Sequence, residues 1–212
     1  MWAGAVLIVL IAVFGIYKAA TYDSTAGLTV SAISSTDWTK GTPGKPVLIE
    51  YSDFQCPACA AYYPVVKQVV SEYSGRIQFS YRHFPLYELH KNALESSYAA
   101  QASGKQGKFW EMHDKLFERQ KDWSDLDDPK PTFEQYAKEL GLNVDTFKKD
   151  SASTEVRDAV AQSRASGEAA DVGGTPSFFF NGKRLQNPPG LEAFRAALDY
   201  YLSQSPVQTT SK

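Results

Sequence analysis

The sequence predicts an α/β fold: a strand–helix–strand unit followed by a long helical insertion, with an apolar N-terminal segment ahead of both. Three observations predict it. VLIEYS, residues 47–52, is a short apolar run with β-branched and aromatic content, bounded by Pro46 and the Asp53–Gln55 corner, as a central strand requires. Tyr62, Val65, Val66, Val69, Val70 and Tyr73 then recur at three and four, the spacing of a helix that buries one face. In IQFSYRHF, 77–84, Ile77, Phe79 and Tyr81 alternate with Gln78, Ser80 and Arg82, the period of a second strand. Strand, helix and strand in that order predict parallel pairing through a right-handed crossover.

Ahead of this unit, residues 1–18 hold an uncharged apolar run from Trp2 to Tyr17. As a helix at ~1.5 Å per residue it reaches about 24 Å, slightly under the ~30 Å hydrocarbon core of a bilayer, with aromatic residues at both ends. Three readings compete for it: an uncleaved membrane anchor, which the lack of a small-x-small cleavage site favours, a cleaved secretory signal, and a buried core helix. Residues 19–44 are rich in Ser, Thr, Gly and Ala and read as a tether, with a linker at 19–36 and the domain, 37–203, beginning near Asp37. Gly75 stops the first helix. From about 88 to 168 the pattern is helical, with breaks at Gly104–Gly107, Asp127–Pro131 and Gly141–Asn143, and Thr132 with Gln135 reads as a capping box. Phe109, Trp110, Met112, His113, Leu116 and Phe117 form a packing face. SFFFNGKRL, 177–185, is a strand running into an Asn181-Gly182 hairpin turn. Leu191, Phe194, Leu198, Tyr201 and Leu202 share one face of a closing helix, and 204–212 form a polar tail.

Composition removes some function classes. With 43% hydrophobic and 22% charged residues the chain is that of a folded globular protein. A net charge of −2 leaves no basic surplus to neutralise phosphates, and no dense Lys/Arg run supplies a local one, so nucleic acid is not an expected partner.

The chemistry is carried by the only two cysteines, Cys56 and Cys59, in Cys56-Pro57-Ala58-Cys59. A structural zinc site needs four ligands, and His83, His90 and His113 lie no closer than seven residues to one another. A purely structural disulfide across so short a loop removes unfolded-state entropy worth on the order of 2 kcal/mol, against ~3 for a 15-residue loop. Redox chemistry has a better reason for the spacing. Where a helix starts, unpaired N–H groups and the macrodipole favour a thiolate at Cys56, and Pro57 fits the first helical position because its missing N–H costs nothing there. Cys56 is then the exposed nucleophile, and Cys59, one turn inside, the resolving thiol.

EYSDFQCPAC after a strand, GKFWEMHDKLF in the helical block and GGTPSFFFNGKRL before the last helix together resemble the DsbA-like family of thiol:disulfide oxidoreductases, in the thioredoxin superfamily. The likeness runs from about 37 to 203. It implies a thioredoxin-like fold with an inserted α-helical cap over a groove for unfolded substrate chains. Thr175-Pro176 matches the cis-proline loop beside the redox pair, and the Thr175 backbone would pair with an extended substrate. Glu50, six residues before Cys56, matches the buried acid that assists proton transfer at the resolving cysteine. Read alone, Glu50 is also compatible with an exposed strand-end glutamate, Pro176 with a trans bond, and Asp53 with a turn or helix-entry residue. A strong oxidant of the family carries histidine at the second intervening position. Ala58 stands there in this chain, which should leave Cys56 less acidic and its disulfide less oxidising.

The resemblance implies an extracytoplasmic oxidoreductase exchanging disulfides with exported thiol proteins, held at the outer face of the cytoplasmic membrane by the N-terminal helix. Its redox group is the Cys56–Cys59 disulfide, with no metal or organic cofactor. A quinone-linked oxidase or a membrane reductant would be the redox partner. A reductase or isomerase of the same fold, or a non-enzymatic chaperone or binding module for unfolded polypeptides, are the alternatives.

Overall fold

The computed structural model describes Val30 and residues 33–204. The expected anchor, most of the linker and the tail lie outside the described residues. Among those described, no helix is long and apolar enough to cross a membrane. The elements run β1 (Trp38–Gly41), β2 (Val47–Ser52), α1 (Pro57–Glu72), β3 (Gln78–His83), α2 (Ala93–Lys105), α3 (Phe109–Glu118), α4 (Gln120–Trp123), α5 (Lys130–Glu139), α6 (Val144–Ser151), α7 (Thr154–Ala169), β4 (Ser177–Phe180), β5 (Lys183–Leu185) and α8 (Leu191–Gln204).

The strands form one five-stranded sheet in the order β1-β3-β2-β4-β5. β2 and β3 pair in parallel, Leu48 opposite Phe79 and Glu50 opposite Tyr81, as the strand–helix–strand reading requires. β4 adds antiparallel on the other side, placing Phe178 opposite Glu50. β2 is therefore central, and the alternation of its side chains sends Leu48 and Glu50 to one face and Ile49 and Tyr51 to the other. The first face packs with Phe79, Tyr81, Phe178 and Phe180 under α1, α3 and α8. The second holds Ile49, Tyr51, Phe84 and Phe179. Helix α7 comes so close there that a Cβ on Gly167 would stand 2.5 Å from the Phe84 ring.

Both faces of β3 are buried, Ser80 and Arg82 as well as Phe79 and Tyr81. Arg82 is tolerated because its guanidinium bonds Asp37 at 2.7 and 2.8 Å and the Tyr51 hydroxyl at 2.9 Å. The structure corrects the sequence reading at β1, which falls within the stretch read as tether. It pairs antiparallel with β3, and Trp38 anchors it. The Trp38 ring stacks on Phe109 at 4.4 Å, fills the space a side chain at Gly104 would need, and donates from Nε1 to Gln101 at 2.6 Å.

The helical insertion lies between β3 and β4, and the expected breaks are present: α2 is followed by Gly107 and α5 by Gly141, both left-handed, with φ of 76° and 73°. Two further breaks, at Arg119 and at Ala152 and Ser153, lie outside the expected ones. The capping box does not form. α5 begins at Lys130, two residues before Thr132, behind Pro129 and with no side-chain cap. Helix α1 ends at Tyr73, without a left-handed Gly75. The hairpin after β4 turns through Asn181 and Gly182 at φ 47° and 80°, the left-handed pair such a turn demands.

Candidate active site at the start of helix α1

β2 delivers the chain to a turn, Asp53–Gln55, that launches α1. Cys56 is the N-cap, with extended φ and ψ of −66° and 121°, and Pro57 is the first helical residue. The turn is closed by the Cys56 N–H donating to the Asp53 carbonyl at 3.1 Å, and the helix begins with the Ala60 N–H donating to Cys56 O at 3.1 Å. Pro57 and Ala58 face solvent while Cys59 is fully buried. Both thiols are free. Cys56 is less open than expected for an exposed nucleophile: it keeps only 7% of its surface. The Thr175 carbonyl covers it at 3.5 Å from the sulfur.

The environments of the two sulfurs drive their acidities apart. Cys56 falls to about 5, chiefly because the Cys59 thiol donates to its thiolate; burial opposes this, and the Thr175 side chain and the Cys59 and Ala58 backbone N–H groups add to it. Cys59 rises well above the ordinary thiol value through burial, through its bond to Cys56, and through the negative charges of Cys56 and Glu50. At neutral pH these shifts leave Cys56 ionised beside a partner thiol held protonated.

The sequence-predicted residues converge on this point. The Thr175-Pro176 bond is cis, and its loop is fastened by Asn187 Nδ2 donating to Pro176 O at 2.7 Å and Ser177 Oγ to Gly174 O at 2.7 Å. The Thr175 hydroxyl is buried with no hydrogen-bond partner, and the Thr175 side chain lowers the Cys56 pKa. Glu50 lies mid-strand in β2 and is 3% exposed, so the strand-end alternative fails. Burial raises its carboxyl to about 7, where it can gain or lose a proton near neutrality.

Several residues at the site carry no sequence signal. Tyr81, across the sheet from Glu50, has a buried hydroxyl without a partner; burial, Glu50 and Cys59 all raise its pKa. Asp53 is a turn residue as read, and also a lock. Its Oδ1 accepts from Gln55 N at 2.8 Å, and its Oδ2 accepts from Leu86 N at 3.0 Å and meets His90 Nδ1 at 2.7 Å. The cap grips the same turn. Gln120 Nε2 donates to Phe54 O and Cys56 O at 2.7 and 3.1 Å, and Gln55 Nε2 donates to Ser124 O at 2.6 Å. Only the fold brings these segments together. His83 and His113 pack among Phe54, Tyr81 and Phe109, and burial pushes His83 down to about 3, so its ring stays neutral. Among the described residues no three His, Cys, Asp or Glu side chains cluster as metal ligands.

A thioredoxin family model matches residues 34–200. The chain belongs to the thioredoxin family. Among solved structures it is similar to α-DsbA1 of Wolbachia pipientis, at 19% identity and a TM-score of 0.73 over 84% of this chain and 97% of that one. Oxidised BdbD of Bacillus subtilis matches at 17% identity and 0.73, over 84% and 98%, and a thioredoxin-like oxidoreductase of Silicibacter pomeroyi at 22% and 0.68, over 81% and 95%. The thioredoxin-like fold implied by the resemblance read from the sequence is thus borne out by the family model, and structures named for DsbA share that fold. Curated relatives are the Na(+)/H(+) antiporter NhaA 3 of Salinispora tropica, 35% identical over 163 residues, 76% of this chain and 24% of the relative, and NhaA 1 of Mycolicibacterium gilvum, 34% identical over 168 residues, 77% and 26%. The chain spans about a quarter of the length of these relatives.

Proposed function

We propose that this chain is a thiol:disulfide oxidoreductase that exchanges disulfides with exported proteins through Cys56 and Cys59. The observation that carries the reading is the opposed acidity of two thiols one helical turn apart, beside a cis-proline loop. In the oxidising direction a substrate thiolate attacks Cys56 of the Cys56–Cys59 disulfide. The S–S bond breaks, and Cys59 leaves as a thiolate and takes the proton of the Glu50 carboxyl. A second substrate thiolate then displaces Cys56, which departs as the stable thiolate. The substrate gains a disulfide and loses two electrons, and the enzyme is left as the dithiol. Run backwards, the same steps reduce a substrate disulfide.

The acidity of Cys56 favours oxidation. A thiol lowered to about 5 stabilises the reduced enzyme at pH 7 by about 2.7 kcal/mol relative to an ordinary thiol near 8.5, which corresponds to roughly 60 mV. The effect arises without a histidine at position 58, chiefly from the Cys59 thiol, with the Thr175 side chain and the Cys59 and Ala58 N–H groups adding to it. Raising Cys59 adds nothing at that pH, since it is protonated either way. The redox group is the cysteine pair, and no metal or organic cofactor enters the steps. The Thr175 backbone would dock an extended substrate strand, and a membrane partner, a quinone-linked oxidase or a reductant, would reset the pair.

A place outside the cytoplasm, at the membrane surface, rests on the apolar run from Trp2 to Tyr17. It is supported by relatives named as Na(+)/H(+) antiporters, in which the matched segment is part of a longer chain. The test is redox equilibration of the chain with glutathione, together with oxidation of a reduced, unfolded thiol protein. A potential near the oxidising end of the family with catalytic oxidation supports the reading. A potential at or below the glutaredoxin range makes the protein a reductant instead. Full activity in Cys56→Ser would remove the enzymatic reading and leave a binding module.

A further inference from the structure

Two hydroxyls of the central strands are buried without a hydrogen-bond partner: Tyr81 OH and Ser52 Oγ. A buried donor left unpaired is a cost to the fold, and native structures carry few of them. Both stand beside the same carboxyl. Tyr81 is directly opposite Glu50 in the parallel β2–β3 ladder, and Ser52 lies two residues further along β2, on the same face of the sheet. All three are buried. On its other side Glu50 meets Phe178 of β4, which offers no donor from its side chain.

The Tyr81 ring is clamped. Phe54 stacks on it at 5.2 Å between centroids, and the His113 and His83 rings meet it edge-on at 4.9 and 5.4 Å. So held, the hydroxyl can turn its proton without moving its oxygen. Tyr81 does not act as an acid: burial and the negative charges of Glu50, Cys59 and Asp53 raise it well above the ordinary phenol value, and its proton stays in place to be donated. Ser52 is near enough to lower the pKa of both Glu50 and Tyr81. Donors that lack an acceptor, placed beside a carboxyl that alternates between neutral and charged, are set for the charged form.

We propose that Tyr81, assisted by Ser52, is a positioning residue that donates a hydrogen bond to the Glu50 carboxylate and so holds the base of the resolution step in its working form. The inference rests on the oxidoreductase reading above. When the enzyme acts as a reductant, the mixed disulfide between Cys56 and substrate is resolved by Cys59. The Cys59 proton passes to the Glu50 carboxylate, its sulfur bonds to Cys56, and the Cys56–substrate bond breaks to release a substrate thiolate, which water protonates. Only ionised Glu50 can start this step, and Tyr81 keeps its own proton throughout. The titratable groups facing Glu50 are Cys59 of α1 and Tyr81 of β3. Farther off, around the cavity that Glu50 borders, stand Lys40 of β1, Tyr63 and Lys67 of α1, and His113 and Asp114 of α3.

Tyr81→Phe removes the oxygen and keeps the clamped ring. Stopped-flow reaction of the reduced full chain with a peptide disulfide separates attack by Cys56 from resolution by Cys59. Tyr81→Phe should keep the first phase, move the pH midpoint of the second up by about one unit, and slow it about fivefold at pH 7. Added to Glu50→Gln, it should slow resolution no further. Unfolding supplies a readout that needs no substrate. The urea midpoint of Tyr81→Phe should equal or exceed that of the unmodified chain at pH 4.5, where Glu50 is neutral, and fall below it at pH 8, where the carboxylate has lost its donor. An unshifted pH profile in folded Tyr81→Phe would overturn the proposal, as would equal slowing in the Glu50→Gln background. So would a midpoint lowered alike at both pH values, the mark of a packing role alone. Should Tyr81→Phe fail to fold, Ser52→Ala read in the same way decides. Absence of the first phase in the unmodified chain counts against the oxidoreductase reading, and the two urea midpoints then still decide whether Tyr81 holds the carboxylate.

Discussion

The tip of helix α1 and its first inner turn carry the same side chain and opposite chemistry. Cys56, at the N-cap, is lowered to about 5; Cys59, one turn further in, is raised well above an ordinary thiol. At the tip, the Cys59 thiol donates to the Cys56 thiolate, and backbone N–H groups without a helical partner add to it. One turn inside, burial dominates, and the bond to Cys56 and the Cys56 charge raise Cys59 further. The contrast teaches that a spacing of two intervening residues lets one thiol stabilise the anion of the other, so that one is ionised while its neighbour stays protonated.

The largest effect expected from breaking this pair is on turnover. Cys56→Ser should reduce disulfide exchange by at least about a thousandfold, since an alkoxide is not accessible at neutral pH. Cys59→Ser should keep the attack but trap Cys56 in a mixed disulfide, visible as a covalent adduct by mass spectrometry. An untrapped Cys59→Ser enzyme at full speed would show that the inner thiol is not the resolving one.

Next is Glu50→Gln, which should slow resolution on the order of a hundredfold while leaving the Cys56 attack unchanged. It should also change stability in a pH-dependent way. A carboxyl raised from 4.5 to about 7 in the folded chain binds its proton more tightly folded than unfolded. Its contribution is therefore neutral at pH 4, turns unfavourable as pH rises through that interval, and levels off above 7. Glu50→Gln should accordingly stabilise the protein by up to about 3 kcal/mol at pH 8 and by little at pH 4. Equal denaturation midpoints for the two proteins at pH 8 would contradict a buried carboxylate.

Thr175→Val removes the buried hydroxyl beside the thiolate and should raise the Cys56 pKa, making the disulfide less oxidising by up to about 30 mV in glutathione equilibration. The smallest expected effect belongs to the cap. Gln120→Ala removes two hydrogen bonds onto the turn and should cost about 1–2 kcal/mol in urea unfolding, with Cys56 acidity nearly unchanged.

The elements that position the pair were legible because each is local. The apolar run of β2, the i,i+3/i+4 face of α1, the Pro57 entry and the Asn181-Gly182 turn are all written in adjacent residues. β1 was not: four residues, WTKG, have no periodicity of their own and become a strand only because Trp38 docks on Phe109 and β3 offers an edge. The burial of Ser80 and Arg82 followed from α7 covering the second face, and that depends on topology and not on the strand's own pattern. At the site, Cys56, Cys59, Thr175, Pro176 and Glu50 came from one motif and one resemblance. Tyr81, the Asp53–His90 pair and the Gln120 grip connect segments 22 to 66 residues apart in sequence, and no composition or spacing rule reports such contacts.

The most direct test of the account is a pH titration of the reduced chain, following thiolate absorbance and the alkylation rate of each cysteine separately. Cys56 should ionise with a midpoint near 5 and react quickly at pH 6, while Cys59 stays protonated and unreactive through pH 9. Two thiols titrating together near 8.5, or a Cys56 no faster with the reagent than free cysteine at pH 6, would contradict it.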